Sequence, residues 1–199
     1  MTTTATKPRG EYAKTAKRRD DIVTAALSVF STAGFVSASM SEIAKRAGLT
    51  LPGLRHHFAS KFDLLQEVLF RRDLDANKHL EGREGIDLLR GLVEIASRDQ
   101  GDSLTQMFAM LAAEATDIEH PAHDYFQGRY DLIVGTVQRA LTEAAAEGTL
   151  REGHDPDRLA RAYVALSDGL QLQALYRPAA FSQAELIKEF LEEFLTVPL

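Results

Sequence analysis

The sequence contains no cysteine, which excludes disulfides, thiolate metal sites and redox chemistry at sulfur and suits a reducing compartment. No apolar run approaches the roughly 18 residues of a membrane span, and the opening stretch MTTTATKPRGEYAK lacks the apolar core of a signal peptide. A soluble, cytoplasmic protein with no membrane partner is expected. Strand-like alternation is also scarce, because apolar residues recur at intervals of three and four and Ala, Leu, Glu and Arg dominate. The expected class is therefore all-α. Neither a Gly-rich phosphate loop nor a nucleophile elbow is present, and the carboxylates are scattered. No catalytic residue and no cofactor is expected, and a helical small-molecule carrier or metal-dependent helical enzyme stands as the rival class.

The 199 residues are 45% hydrophobic, enough for a sizeable core. The overall charge of -6 looks wrong for a nucleic-acid binder, but its distribution is uneven. Residues 1–60 carry nine Lys or Arg against four acids, a net +5, leaving -11 on the remainder. A basic head on an acidic body suits a protein that meets phosphate with the head alone. Two domains are expected: 1–60 as an arm and three-helix DNA-binding domain, 61–199 as a larger helical domain for effector binding and dimerisation.

Met1 to about Thr15 has no periodicity and is expected to be a mobile arm. A helix from roughly Ala16 to Thr32 follows, with Ile22, Ala26, Val29 and Phe30 on one face and Gly34 past its end. Ser39 and Glu42 then form a capping box ahead of the stripe Met40, Ile43, Ala44 and Ala47. This short helix stops at Gly48, and Thr50 can cap another two residues later, with Pro52 tolerated in its first turn. Two short helices joined by a tight Gly turn make a helix-turn-helix, whose second helix enters a DNA major groove. Leu49, Leu54 and Phe58 would face inward, leaving Leu51, Pro52, Arg55, His56 and His57 outward. Ser60 is a further cap, and Lys61 behind it opposes the helix dipole, which suits it to a phosphate.

Further helices are expected near 61–80, 85–98, 102–117, 121–147, 155–176 and 182–196. Helix 155–176 is apolar on two sides, and the last helix repeats the pattern. Leu159, Leu166, Leu170, Leu172, Leu175, Leu186, Phe190 and Phe194 are therefore the expected interface of a homodimer, built as a two-fold four-helix bundle. Met107, Phe108, Met110 and Leu111, with Tyr125, Phe126, Tyr130 and Tyr163, are either plain core or the wall of a pocket for an apolar or aromatic small molecule. His56 and His57 point about 100° apart on a helix and do not share a metal ion. Asp117, Glu119, His120, His123 and Asp124 read as a solvated loop ending in Pro121 at a helix start, and no metal site is expected.

The run from Ile22 through AALSVFSTAGF, then SMSEIAKRAGLT, then HHF-x-SK-x-x-LL, resembles the DNA-binding region of the tetracycline-repressor (TetR) family of bacterial regulators. The likeness covers about Arg19 to Leu65, and a weaker one appears at EGTLREGHDPDRLARAYVALSDGLQLQ, similar to the entry of that family's dimerising helix. Residues 80 to 145 resemble nothing in particular. The resemblance implies a homodimeric repressor on a pseudo-palindromic operator in double-stranded DNA, released when a small-molecule effector enters the C-terminal domain. It places Leu51, Pro52, Arg55, His56 and His57 in the groove and Ser39, Ser41, Thr50 and Lys61 on phosphates. Arg55 stands where the family often has Tyr, and because Arg pairs bidentately with guanine, a G·C preference is expected there.

Overall fold

Helix ends in this chain are set by side-chain caps and by a few glycines. The computed structural model describes residues 9–99 and 103–199, with side chains from 15 to 98 and from 105 on. Among the described residues the elements are α1 (Arg9–Ser37), α2 (Met40–Arg46), α3 (Leu51–His57), α4 (Lys61–Leu80), α5 (Gly85–Asp99), α6 (Ser103–Glu114), α7 (His123–Ala146), α8 (Pro156–Tyr176) and α9 (Gln183–Glu192). No strand occurs among them beyond an isolated antiparallel bridge between Leu150 and Leu195. The all-α expectation holds. The chain divides into two compact units, Met1–Arg71 and Arg72–Leu199, so the division falls inside α4 and later than residue 60.

In the first unit, α1 begins at Arg9 and not at Ala16. The part of the expected arm from residue 9 is thus helical, and residues 1–8 lie outside the described residues. Gly34, at φ 71 and ψ 171, breaks α1 near its end. That backbone region is open essentially to glycine alone, so the kink is written into the residue type. Ile22, Ala26, Val29 and Phe30 are all buried, as their spacing on one face predicts, together with Ile43 and Ala44 of α2, Leu54 of α3 and Leu64, Leu65, Val68 and Leu69 of α4. Each large aliphatic side chain buried this way contributes about 2 kcal/mol. Helices as short as α2 and α3, seven residues each, depend on such packing to hold their shape.

In the second unit, α5, α7, α8 and α9 share one core, with Leu89, Val137, Ala140, Leu141, Ala160, Ile187 and Leu191 at its centre. Helix α7 ends on Gly148 (φ 74), whose N–H reaches Ala145 O while the next N–H, of Thr149, reaches Ala144 O. This paired closure satisfies carbonyls the helix would otherwise leave open. Three helix limits depart from expectation. Helix α6 stops at Glu114, because Thr116 and Asp117 turn back onto the carbonyls of Ala113 and Glu114. Helix α7 starts at His123, not at Pro121, since the Ala122 N–H is taken by His120 Nδ1. Helix α9 ends at Glu192, not at residue 196, because the chain beyond it pairs with the segment after α7: Arg151 N–H donates to Phe194 O at 2.8 Å and Thr196 N–H to Thr149 O at 2.9 Å.

Candidate nucleic-acid interface

Helix α2 opens on Ser39, whose backbone is extended and whose Oγ accepts the Glu42 N–H at 3.1 Å. It closes on Gly48 (φ 66), with the Gly48 N–H on Lys45 O at 3.1 Å and the Leu49 N–H on Ala44 O at 2.8 Å. A residue with a Cβ is strained in that left-handed conformation. Helix α3 begins two residues later on Thr50, whose Oγ1 accepts the Gly53 N–H at 3.2 Å, and Pro52 occupies its first turn. Leu54 is completely buried and Phe58 nearly so, while Pro52, Arg55 and His56 are exposed and Leu51 and His57 are half-buried. The arrangement is a helix-turn-helix, and the second helix turns arginine and imidazole outward.

Ser39, Ser41 and Thr50 are also exposed. Accepting a cap bond leaves the O–H of Ser39 and of Thr50 able to donate to a phosphate oxygen. The His56 and His57 rings meet edge to face with centroids 5.6 Å apart. Burial, the neighbouring His56 and the guanidiniums of Arg19 and Arg18 all push the His57 pKa below its ordinary value. At neutral pH His57 therefore offers hydrogen bonds and not a charge.

Lys61 departs from expectation. Its ammonium is committed to the carbonyls of Phe35 (2.6 Å), Val36 (3.0 Å) and Ala38 (2.8 Å), and it lies 4.5 Å from the centre of the Phe35 ring. These charge-assisted bonds make Lys61 a clamp on the corner between α1 and α2. Ser60 and Asp63 supply a reciprocal cap at the head of α4, each side chain 3.0 Å from the other's N–H.

Of the residues expected to line an effector pocket, Met107, Phe108, Leu111, Phe126 and Tyr163 are buried, Met110 and Tyr125 are half-buried, and Tyr130 is exposed. Phe108 and Phe126 have centroids 4.8 Å apart, and Tyr125 meets Phe126 at 5.2 Å. Polar partners surround them. The Tyr125 hydroxyl donates to Asp73 at 2.7 Å, Arg129 pairs with the same carboxylate at 2.5 Å, and the Tyr130 hydroxyl donates to Asp168 at 2.8 Å. The guanidiniums of Arg72 and Arg129 lie 3.8 and 4.8 Å from the centre of the Phe108 ring. Burial pushes Tyr163 and Tyr130 up to about 12, so both stay protonated donors. Burial also raises Asp168, against the opposing bond from Tyr130 and the charges of Arg129 and Arg72. The Asp117–Asp124 loop closes on itself, with His120 buried and the His123 ring 2.9 Å from Ala115 O. No group of three metal-ligating side chains occurs among the described residues.

The expected interface residues divide. Leu159 and Leu170 are buried in the chain's own core and are corrected to core positions. Leu166, Phe190 and Phe194 are partly buried against that core, and Phe194 lies past the end of α9, meeting the rings of Phe190 and His154 edge to face with centroids 5.3 and 5.0 Å away. Leu172 is 51% exposed and Leu186 37%, with Tyr176 at 82% on the same helix as Leu172. Leu175 is half-buried.

Residues 22–68 match the sequence pattern of bacterial regulatory proteins of the tetR family, and residues 87–196 match that of the C-terminal region of BetI-type transcriptional repressors. The chain belongs to the TetR family. It is a DNA-binding transcriptional regulator with an N-terminal helix-turn-helix and a C-terminal helical region. Among its relatives, the HTH-type transcriptional regulator PksA of Bacillus subtilis is 28% identical over 168 residues, covering 81% of this chain and 80% of its own. The transcriptional activator FasR of Mycolicibacterium smegmatis is 31% identical over 144 residues, covering 70% of this chain and 60% of its own. A structure of SmeT of Stenotrophomonas maltophilia with triclosan shares the fold at a TM-score of 0.77 and 22% identity, over 92% of this chain and 95% of that one. No helix among the described residues is long and apolar enough to cross a membrane.

Sequence reasoning missed Asp73, Arg129, Asp168, Arg19 and Glu67. Tyr125 and Arg129, one helical turn apart, both point to Asp73, which periodicity alone cannot foresee because the partner lies on α4. The i, i+4 spacing of Glu67 and Arg71 was the one local signal available in this set, and they do pair at 2.9 Å.

Proposed function

We propose that this TetR-family regulator works as a cytoplasmic homodimeric repressor that inserts α3 into successive major grooves of a pseudo-palindromic operator. The observation that carries the reading is the outward face of α3: Arg55 and His56 exposed on a helix whose opposite side holds Leu54 completely buried. Leu51, Pro52, Arg55, His56 and His57 would meet base edges, and Ser39, Ser41 and Thr50 would donate to phosphates. Leu172, Leu186 and Tyr176 leave apolar surface that a second copy would cover. Phe108, Phe126, Tyr125, Tyr130 and Tyr163 would form part of a site for an apolar or aromatic effector, their clustered rings supplying the contact surface. The relative SmeT, described as a repressor of a multidrug efflux pump and solved with triclosan, supports the effector reading. An effector that binds the DNA-incompetent shape more tightly would shift the population off the operator.

Activation is a second reading, favoured by the relative FasR, itself a transcriptional activator. Selection of bound sequences from a random duplex pool tests the reader: two inverted half-sites with centres about one helical turn or a multiple apart are expected. Enrichment of no sequence, or of a single unrepeated site, overturns the dimeric reader. Placing the selected site over or upstream of a reporter promoter then separates repression from activation.

A further inference from the structure

We infer that Arg19 and Glu67 are positioning residues for DNA reading: together they hold the C-terminal end of α3 at a fixed attitude on α1 and α4, and neither meets DNA. The inference rests on the reading of α3 as the groove-entering helix. Arg19, on α1, sends Nη1 to the His57 carbonyl at 3.1 Å and Nη2 to Glu67 Oε2 at 3.0 Å, and its guanidinium lies 4.3 Å from the centre of the Phe58 ring. His57 is the last residue of α3 and Phe58 its C-cap. One guanidinium thus satisfies a helix-terminal carbonyl, complements the negative end of the helix dipole and covers the residue that ends the helix.

Glu67 fixes the guanidinium in turn. Its other oxygen takes Arg71 Nε at 2.9 Å, and Arg71 reaches Asp20 of α1 at 2.7 Å. The charges therefore alternate from Asp20 through Arg71 and Glu67 to Arg19, and the last of them ends on the reading helix. Burial alone would push the Glu67 carboxyl up; the bonds from Arg71 and Arg19 outweigh it and hold the group below the ordinary carboxylate value. A surface that served only to attract phosphate would gain nothing from an ionised carboxylate, whereas a strut needs one. Helix α2 has a comparable tie, Arg46 Nη1 to Ser28 Oγ of α1 at 2.6 Å. Seven residues of helix have no stiffness of their own, and base-edge bonds tolerate only small errors of aim. Arg19 also lies ahead of residues 22–68, the stretch that matches the tetR family pattern.

The test measures affinity of the full-length protein for a duplex selected from a random pool and for an unrelated duplex, each across a salt series. Glu67→Gln and Arg19→Lys are each expected to lower the ratio of the two affinities about tenfold, with the salt slope unchanged. Removing a carboxylate from a plain cationic surface would instead tighten both duplexes alike, and that outcome overturns the proposal. A phosphate contact at Arg19 would survive in Arg19→Lys with the ratio intact, or reduce the slope by about 0.9 when the charge is removed in Arg19→Gln; either result also overturns it. A merely structural role would lower the melting midpoint and leave the ratio at the parent value, the third contrary outcome. If Glu67→Gln fails to reach the parent's helix content, Arg19→Lys, which keeps the charge, decides. Arg55→Ala in the same assay separates the two readings: a parent ratio there sinks groove entry by α3 and the strut with it. Loss of the ratio in Arg55→Ala, with parent ratios in Arg19→Lys and Glu67→Gln, sinks the strut alone.

Discussion

The Lys61 ammonium at the head of α4 lies 2.6 Å from the Phe35 carbonyl oxygen and 4.5 Å from the centre of the ring of that same residue. It also donates to the carbonyls of Val36 and Ala38, at 3.0 and 2.8 Å. The charge that sequence logic sends to a phosphate is thus used to close the corner between α1 and α2. Lys61→Met is expected to cost about 1–3 kcal/mol of stability, since it removes charge-assisted donors from carbonyls that are partly withdrawn from water. Thermal denaturation checks it. An unchanged midpoint together with a shallower salt dependence of DNA binding would return Lys61 to the phosphate role.

Gly34 creates the corner that Lys61 closes. At φ 71 and ψ 171 it holds a conformation that a Cβ disfavours, so Gly34→Ala is expected to destabilise the protein by about 1–3 kcal/mol. Chemical denaturation with the slope held in common between the two proteins measures it. A loss below a few tenths of a kcal/mol would mean that the break is readily absorbed elsewhere.

These two positions show what the sequence carried and what it did not. The caps at Ser39, Thr50 and Ser60 and the Gly48 turn are local, involving groups within a few residues of each other, and their residue types announced them. Leu54 inward and Arg55 outward followed from helical period alone. The bonds of Lys61 to the α1–α2 corner were not legible, because its partners are backbone carbonyls more than twenty residues back that no side-chain type announces. Leu159 and Leu170 were misplaced for a related reason: a helix apolar on two sides reveals that both are covered, not which side the chain covers itself. The end of α9 depends on pairing between Thr196 and Thr149, again a relation between distant segments.

With His57 placed against DNA as proposed, its lowered pKa is expected to give binding a pH dependence of definite sign. Free His57 titrates below 6.5, its ordinary value, because of burial, His56 and the guanidiniums of Arg19 and Arg18. Nearby phosphates would raise it in the complex, so between the two values binding takes up a proton and affinity grows as pH falls. Fluorescence anisotropy from pH 8 down to about pH 5.5 is expected to show this rise, and His57→Gln to flatten it. Stability of the free protein has the other trend: the contribution of the neutral ring is complete above 6.5 and is lost as pH falls through the lowered folded value. A pH profile identical in His57→Gln and parent would remove His57 from the interface.

Leu172 and Leu186 offer the most direct handle on self-association, being exposed apolar residues on α8 and α9. Leu172→Glu places a charge on that surface, where burial against a partner would be costly. Sedimentation equilibrium is expected to show a dimer for the parent and a shift toward monomer for the variant, with helix content retained. A monomeric parent, or a variant that dimerises as well as the parent, would contradict assembly through this face.

Base reading by the outer face of α3 is tested most directly at Arg55. Affinities of parent and Arg55→Ala should be compared on the selected half-site and on each of its single-base-pair variants, at one fixed salt concentration. The parent is expected to lose about 1–3 kcal/mol when one G·C pair is changed, and Arg55→Ala to become indifferent at that position alone. A variant that weakens binding equally on every duplex, leaving the pattern of base preferences intact, would contradict it.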